Sequence, residues 1–146
     1  MSGALTFGNG YAIDHVAIVV ADLEAAVDLY VKTLGFRVVF RETVADQGIE
    51  TVGLEAGDSM IELLFPLDPN SAIARFRGDA PSKLHHTAYR VGDLAAELAR
   101  LKAAGVRLID ETPRHGAHGN EIAFLHPKAT GGVLIELCQP ARKAKH

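Results

Sequence analysis

Hydrophobic and polar residues alternate through the stretch DHVAIVVADL, which begins at Asp14, and the same phrasing returns in HHTAYRVGDL, which begins at His85. Both contain H-x-A-x-x-V-x-D-L, a period-two run ending in an aspartate suited to cap a helix. EAAVDLYVKTLG follows the first run and AAELARLKAAG the second. Each carries apolar residues at helical spacing and ends on a glycine suited to a C′ position, Gly35 and Gly105. Strand-like runs come next, FRVVF in the first half and VRLI in the second. Two further strands are expected in each half: ETVGLEA turning at Gly57-Asp58 into SMIELLF, and EIAFLHP turning through KATGG into VLIELCQ. The halves even close alike, as Glu62-Leu63-Leu64-Phe65-Pro66 and Glu136-Leu137-Cys138-Gln139-Pro140.

The pattern predicts an α+β fold of two tandem βαβββ modules, about 12–66 and 84–140, in one domain spanning 1–146. The connector, about 67–83, carries a short helix from near Ser71. Two repeats are too few for a solenoid. The expectation is that each module buries one sheet face under its helix and that the opposite faces share a concavity.

With 146 residues, 48% of them hydrophobic and 23% charged, the chain can bury a core. A net charge of −3 and a pI near 6.1 give no overall basic field for nucleic acid or an anionic membrane. No apolar run approaches the roughly 20 residues that span a bilayer, and MSGALTFGNG lacks a basic and an apolar leader region. The single cysteine, Cys138, cannot form an internal disulfide, which suits a reducing, cytoplasmic location.

Alternation also sorts side chains by face. His15 lies opposite in phase to Val16, Ile18 and Val20, and His86 takes the matching place in the second half, with His85 pointing the other way. Glu62 is out of phase with Ile61 and Leu63, and Glu136 with Ile135 and Leu137. Four repeat-related polar residues in apolar strands form a candidate metal site: His15, Glu62, His86 and Glu136. Imidazole with carboxylate suits a borderline divalent ion, and the lack of a cysteine pair argues against thiolate zinc. On an octahedral ion such a set leaves two positions open for a substrate binding through two oxygens.

Through DHVAIVVADLEAAVDLY, the Gln47-Gly48 turn, IELLFPLDPNSAIARF, LHHTAYRV, GAHGNEIAFLHPK and GVLIEL, the chain resembles the vicinal oxygen chelate (glyoxalase/bleomycin resistance/dioxygenase) superfamily over about Ala12 to Pro140. Within it the resemblance is strongest to the methylmalonyl-CoA epimerases. It implies metal ligation by His15, His86 and Glu136, with Glu62 at the remaining ligand position. It also implies epimerisation of an acyl-CoA, (2R)- and (2S)-methylmalonyl-CoA, with Glu136 as one acid/base. The second acid/base of some members falls on Thr51; Glu50 is next door but shares the phase of Val52 and Leu54, so that only a bulge between Gly48 and Val52 would turn it inward. His118, in the glycine-rich RHGAHGNE, is a candidate substrate contact or a plain surface-loop residue. Cobalt is the first expectation for the metal, with nickel, manganese or zinc as alternatives, and a homodimer is the expected assembly. Glyoxalase I and a metal-free binding or resistance protein are the competing functions on this fold.

Overall fold

The computed structural model describes residues 10–140, so residues 1–9, where the sequence was read for a leader, lie outside the described residues. Chain contacts divide into two compact units, one of residues 15–87 and one in which residues 88–140 pack with residues 10–14. Among the described residues no helix is long and apolar enough to cross a membrane.

In the unit 15–87 the strands run in the order β2-β3-β4-β1-β5: β2 (Val38–Val44), β3 (Ile49–Ala56), β4 (Ser59–Pro66), β1 (Ala12–Val20) and β5 (Ser82–Arg90). β1 is parallel to β4, while β2, β3 and β4 are successively antiparallel. β3 and β4 turn at Gly57, whose φ of 63° suits a residue without a Cβ. Asp22 caps α1 (Leu23–Asp28) by accepting the Ala25 N–H at 3.0 Å, and a π-helical turn, Leu29–Thr33, extends it. The apolar stripe of this segment, Leu23, Ala26, Val27, Tyr30 and Val31, lies on Val20, Val52, Leu54 and Leu63. Burial of each such aliphatic side chain contributes about 1.5–3 kcal/mol. Ser71 caps the connector helix α2 (Ala72–Arg77), as its spacing predicts.

In the other unit β8 (Ile135–Gln139), β7 (Glu121–Leu125) and the two-residue β6 (Arg114–His115) lie side by side, β7 antiparallel to both neighbours. The end of β5 is tied to β8, Val91 N–H donating to the Cys138 carbonyl at 2.9 Å. α3 (Leu94–Ala103) is capped by Asp93, and Gln139 Oε1 accepts the Leu94 N–H at 2.9 Å. Its Leu94 and Leu98 close a core with Val91, Ala123, Leu125 and Leu137. On the outer side Tyr11 donates to Glu97, which also accepts two hydrogen bonds from Arg100 at 2.9 and 2.7 Å.

One expected strand is absent. VRLI forms only an isolated bridge, Leu108 to Leu125, because Ile109 and Asp110 N–H converge on one carbonyl, that of Phe124, and the Asp110 carboxylate takes the Phe124 N–H at 2.9 Å. A side chain thus replaces the next ladder bond and ends the pairing. The strand beside β7 instead comes later, at Arg114–His115, inside the stretch read as loop.

Two expectations follow from this packing. Phe40 lies across Gly53, where an added Cβ would sit 2.1 Å from its ring. Gly53→Ala should cost about 1–3 kcal/mol by overpacking, and less than half that in a Phe40→Ala background, measured by urea denaturation. Glu97 is held down to about 2, mainly by its Arg100 hydrogen bonds, against burial and with help from Tyr11. A depressed carboxylate stabilises the fold above its unfolded value, roughly 4.3, and loses that contribution as pH falls through the folded one. Glu97→Gln should therefore be less stable than the parent above about pH 5, with the gap closing between that pH and about 2 in a pH series of thermal melts.

Candidate metal centre

The parallel pairing of β1 with β4 sets Ala17 beside Glu62 and Val19 beside Leu64. Ile18 and Val20 join the core under α1, so His15 and Glu62 fall on the opposite face. His15, Glu62 and His86 are buried, each less than 8% exposed. His15 Nδ1 is 3.2 Å from Glu62 Oε2, and its Nε2 is 3.2 Å from His86 Nε2. On its far side, His86 Nδ1 lies 2.7 Å from His85 Nδ1. Three of the four sequence-derived ligands are thus together, but Glu62 meets the Nδ1 side of His15 rather than the facing pair of nitrogens.

A carboxylate only accepts, so His15 carries a proton on Nδ1 and donates it to Glu62. Burial first, then the neighbouring His86, brings His85 down to about 4, which keeps its ring neutral, so that the two facing Nδ1 atoms share one hydrogen bond. The Nε2 atoms of His15 and His86 face one another at 3.2 Å. Nitrogen ligands about 2.0–2.1 Å from a zinc-sized ion, at octahedral or tetrahedral angles, stand about 2.8–3.4 Å apart. The donors present therefore fit a divalent ion, with Glu62 and His85 as the hydrogen-bond partners that orient its two imidazoles. Alternation missed His85, because its ring curls back to His86 and packs edge-on against Phe76, 5.0 Å between centroids.

Register assigns the neighbours. Thr51 pairs with Leu64 and Gly53 with Glu62, while across β2 Glu42 pairs with Thr51 and Phe40 with Gly53. Phe40, Glu42, Thr51 and Gly53 accordingly share the face of Glu62. Thr51 is fully buried and its hydroxyl has no hydrogen-bond partner. β3 is regular from Ile49 to Ala56, with no bulge between Gly48 and Val52. Glu50 therefore faces the α1 side, where it accepts from Arg41 Nε at 2.8 Å, and Arg41 also binds Glu24 of α1. The structure does not bring Glu50 to the histidines, for this reason of register.

In the other unit Glu136 is buried in β8, opposite Phe124 in register and out of phase with Leu137, which packs under α3. His118 is exposed in the short turn Ala117–Gly119 and holds a φ of 60°, a conformation that costs a residue with a Cβ.

The sequence profile of the Glyoxalase/Bleomycin resistance protein/Dioxygenase superfamily matches residues 14–124. The ethylmalonyl-CoA/methylmalonyl-CoA epimerase of Cereibacter sphaeroides is 43% identical over 129 residues, 87% of this chain and 96% of that protein. The crystal structure of methylmalonyl-CoA epimerase from Mycobacterium tuberculosis superposes with a TM-score of 0.84 at 44% identity, covering 89% of this chain and 88% of that one. A variant of the Streptomyces coelicolor methylmalonyl-CoA epimerase, in complex with 2-nitronate-propionyl-CoA, superposes with a TM-score of 0.82 at 36% identity, covering 89% of this chain and 97% of that one. Duplicated modules, a histidine pair in buried strands and identity at this level over nearly the whole chain agree: the protein has the vicinal oxygen chelate fold and belongs to the methylmalonyl-CoA epimerase family of that superfamily.

Proposed function

We propose that this chain interconverts the (2R) and (2S) epimers of methylmalonyl-CoA at a divalent ion held by His15, His86 and Glu136. The carrying observation is the pair of buried Nε2 atoms 3.2 Å apart, the spacing of two ligands on one ion, each ring held from behind by Glu62 or His85. Glu136 is assigned from the duplication, which gives it the place in its module that Glu62 has in the first, and from its burial. Glu62, expected from the sequence as a direct ligand, takes the role of holding His15 and lending its charge to the ion.

The proton to be moved lies on C2, flanked by a thioester and a carboxylate. When bound, the ion supplies Lewis-acid stabilisation of negative charge developing on the thioester oxygen. Glu136, the buried carboxylate of this set, accepts the C2 proton and returns one. The mixed nitrogen and oxygen donors suit cobalt, nickel, manganese or zinc over calcium. A free, buried Cys138 is compatible with the cytoplasmic location included in this proposal, as is a homodimeric assembly.

Metal analysis of the purified protein should give about one divalent ion per chain, lost in His15→Ala/His86→Ala and bound about 10–100-fold more weakly in Glu62→Gln, the usual cost of losing an orienting acceptor. Unchanged stoichiometric metal in the double variant would overturn the site. Chelation should abolish turnover, with cobalt, nickel or manganese restoring it better than calcium. In deuterium oxide the parent should exchange the C2 proton of methylmalonyl-CoA and leave methylglyoxal plus glutathione untouched. Turnover of the latter pair without C2 exchange would instead identify a glyoxalase.

A further inference from the structure

Inversion at C2 needs two proton transfers, one on each face of a planar enolate, and Glu136 accounts for one. We propose that Glu42 is the second acid/base. The inference rests on the epimerase reading above and on the face that carries His15 and Glu62 being the reaction face.

The position assigned to the second acid by resemblance is Thr51, which cannot deprotonate carbon at neutral pH, and Glu50 beside it is turned to α1 and bound by Arg41. Register supplies a different carboxylate. Glu42 stands directly across from Thr51, on the same face as Glu62. Directly opposed residues of an antiparallel pair have Cβ atoms about 4.5–5.5 Å apart, so a glutamate at 42 reaches over the place a side chain at 51 would fill. Of the other β3 carboxylates, Glu55 shares this phase but is exposed and ion-paired with Arg37, whereas Glu42 is half-buried. Thr51 adds an independent sign of a ligand: a wholly buried hydroxyl without a partner, on the face in question. Buried hydroxyls are almost always satisfied, and an orphan of this kind marks a place where another molecule supplies the partner.

The step balances without a co-reactant. For one epimer the C2–H bond breaks toward the Glu136 carboxylate, its electron pair enters the enolate, and Glu42, as the acid, gives its O–H proton to the opposite face of C2. For the other epimer the two residues exchange roles, and solvent re-equilibrates their protons.

The experiment follows each epimer separately in deuterium oxide, scoring C2 exchange and inversion. Glu42→Gln should slow inversion by about 10²–10⁴-fold, the usual contribution of a general acid or base. It should keep the parent's metal content and still exchange the C2 proton of the epimer on which Glu136 acts. Glu42→Asp should recover at least about tenfold over the glutamine variant, and Glu50→Gln should lose less than about tenfold. Glu42→Thr, a residue suited to a strand, is assayed beside them and should behave as the glutamine variant does. Inversion by Glu42→Gln and Glu42→Thr within about threefold of the parent would overturn the proposal, as would equal loss of exchange from both epimers, or loss of metal. A parent enzyme that neither exchanges nor inverts methylmalonyl-CoA would instead defeat the epimerase reading itself.

Discussion

The unit 15–87 is organised around two buried imidazole nitrogens that face each other. Their 3.2 Å approach is held from behind the rings by Glu62 and His85. A solvated loop could not maintain that arrangement, because the rings would turn away from each other and water would screen them. Strands can, since backbone pairing fixes where each Cβ points. His15 and Glu62 lie on the parallel pair β1 and β4, among the best-buried strands of the sheet, and His86 lies on β5 beside β1. A carboxylate and two imidazoles there cost apolar contacts that the fold recovers on the other face, where α1 covers Val20, Val52, Leu54 and Leu63.

This division of the sheet into an apolar helix-packed face and a polar face explains which parts were legible in the sequence. Period-two alternation depends on neighbours along one strand, so the phase of His15, Glu62 and Glu136 could be read directly, as could the outward turn of Glu50. Helix starts were equally local: Asp22, Asp93 and Ser71 each accept a hydrogen bond from an N–H three residues on, as their positions imply. The family, too, was carried by continuous phrases such as GAHGNEIAFLHPK.

What escaped depends on relations between strands or on side chains that override the backbone. Asp110 took a hydrogen bond that a β-strand partner would have supplied, so VRLI, apolar and β-branched at its start, still formed no strand. The ring of His85 folds back along its own strand to meet His86, which alternation assigns to the opposite side. Glu62 has the phase of a ligand, yet it reaches the outer nitrogen of His15, a choice made by side-chain torsions that sequence does not encode locally. The pairing of Glu42 with Thr51 is a matter of register between β2 and β3, and register is set by the whole hairpin rather than by either residue.

That register turns on one extra residue. Val38 pairs with Leu54 and Phe40 with Gly53, so β2 advances two residues while β3 advances one, and Val39 is the surplus. Without it, strict alternation would keep Val38 and Phe40 on one face, and the residues beyond would be displaced by one position against β3. Arg41 would then stand across from Thr51, and the guanidinium that holds Glu24 and Glu50 would no longer sit under α1. With the bulge, Phe40 turns over Gly53, the one residue there with no Cβ to obstruct it. Arg41 fastens β2 and β3 to the helix from outside, and Glu42 is committed to the side of the histidines. The bulge, the glycine and the arginine thus act as a single device: each holds the phase of β2, and together they decide which of two adjacent side chains the polar face receives.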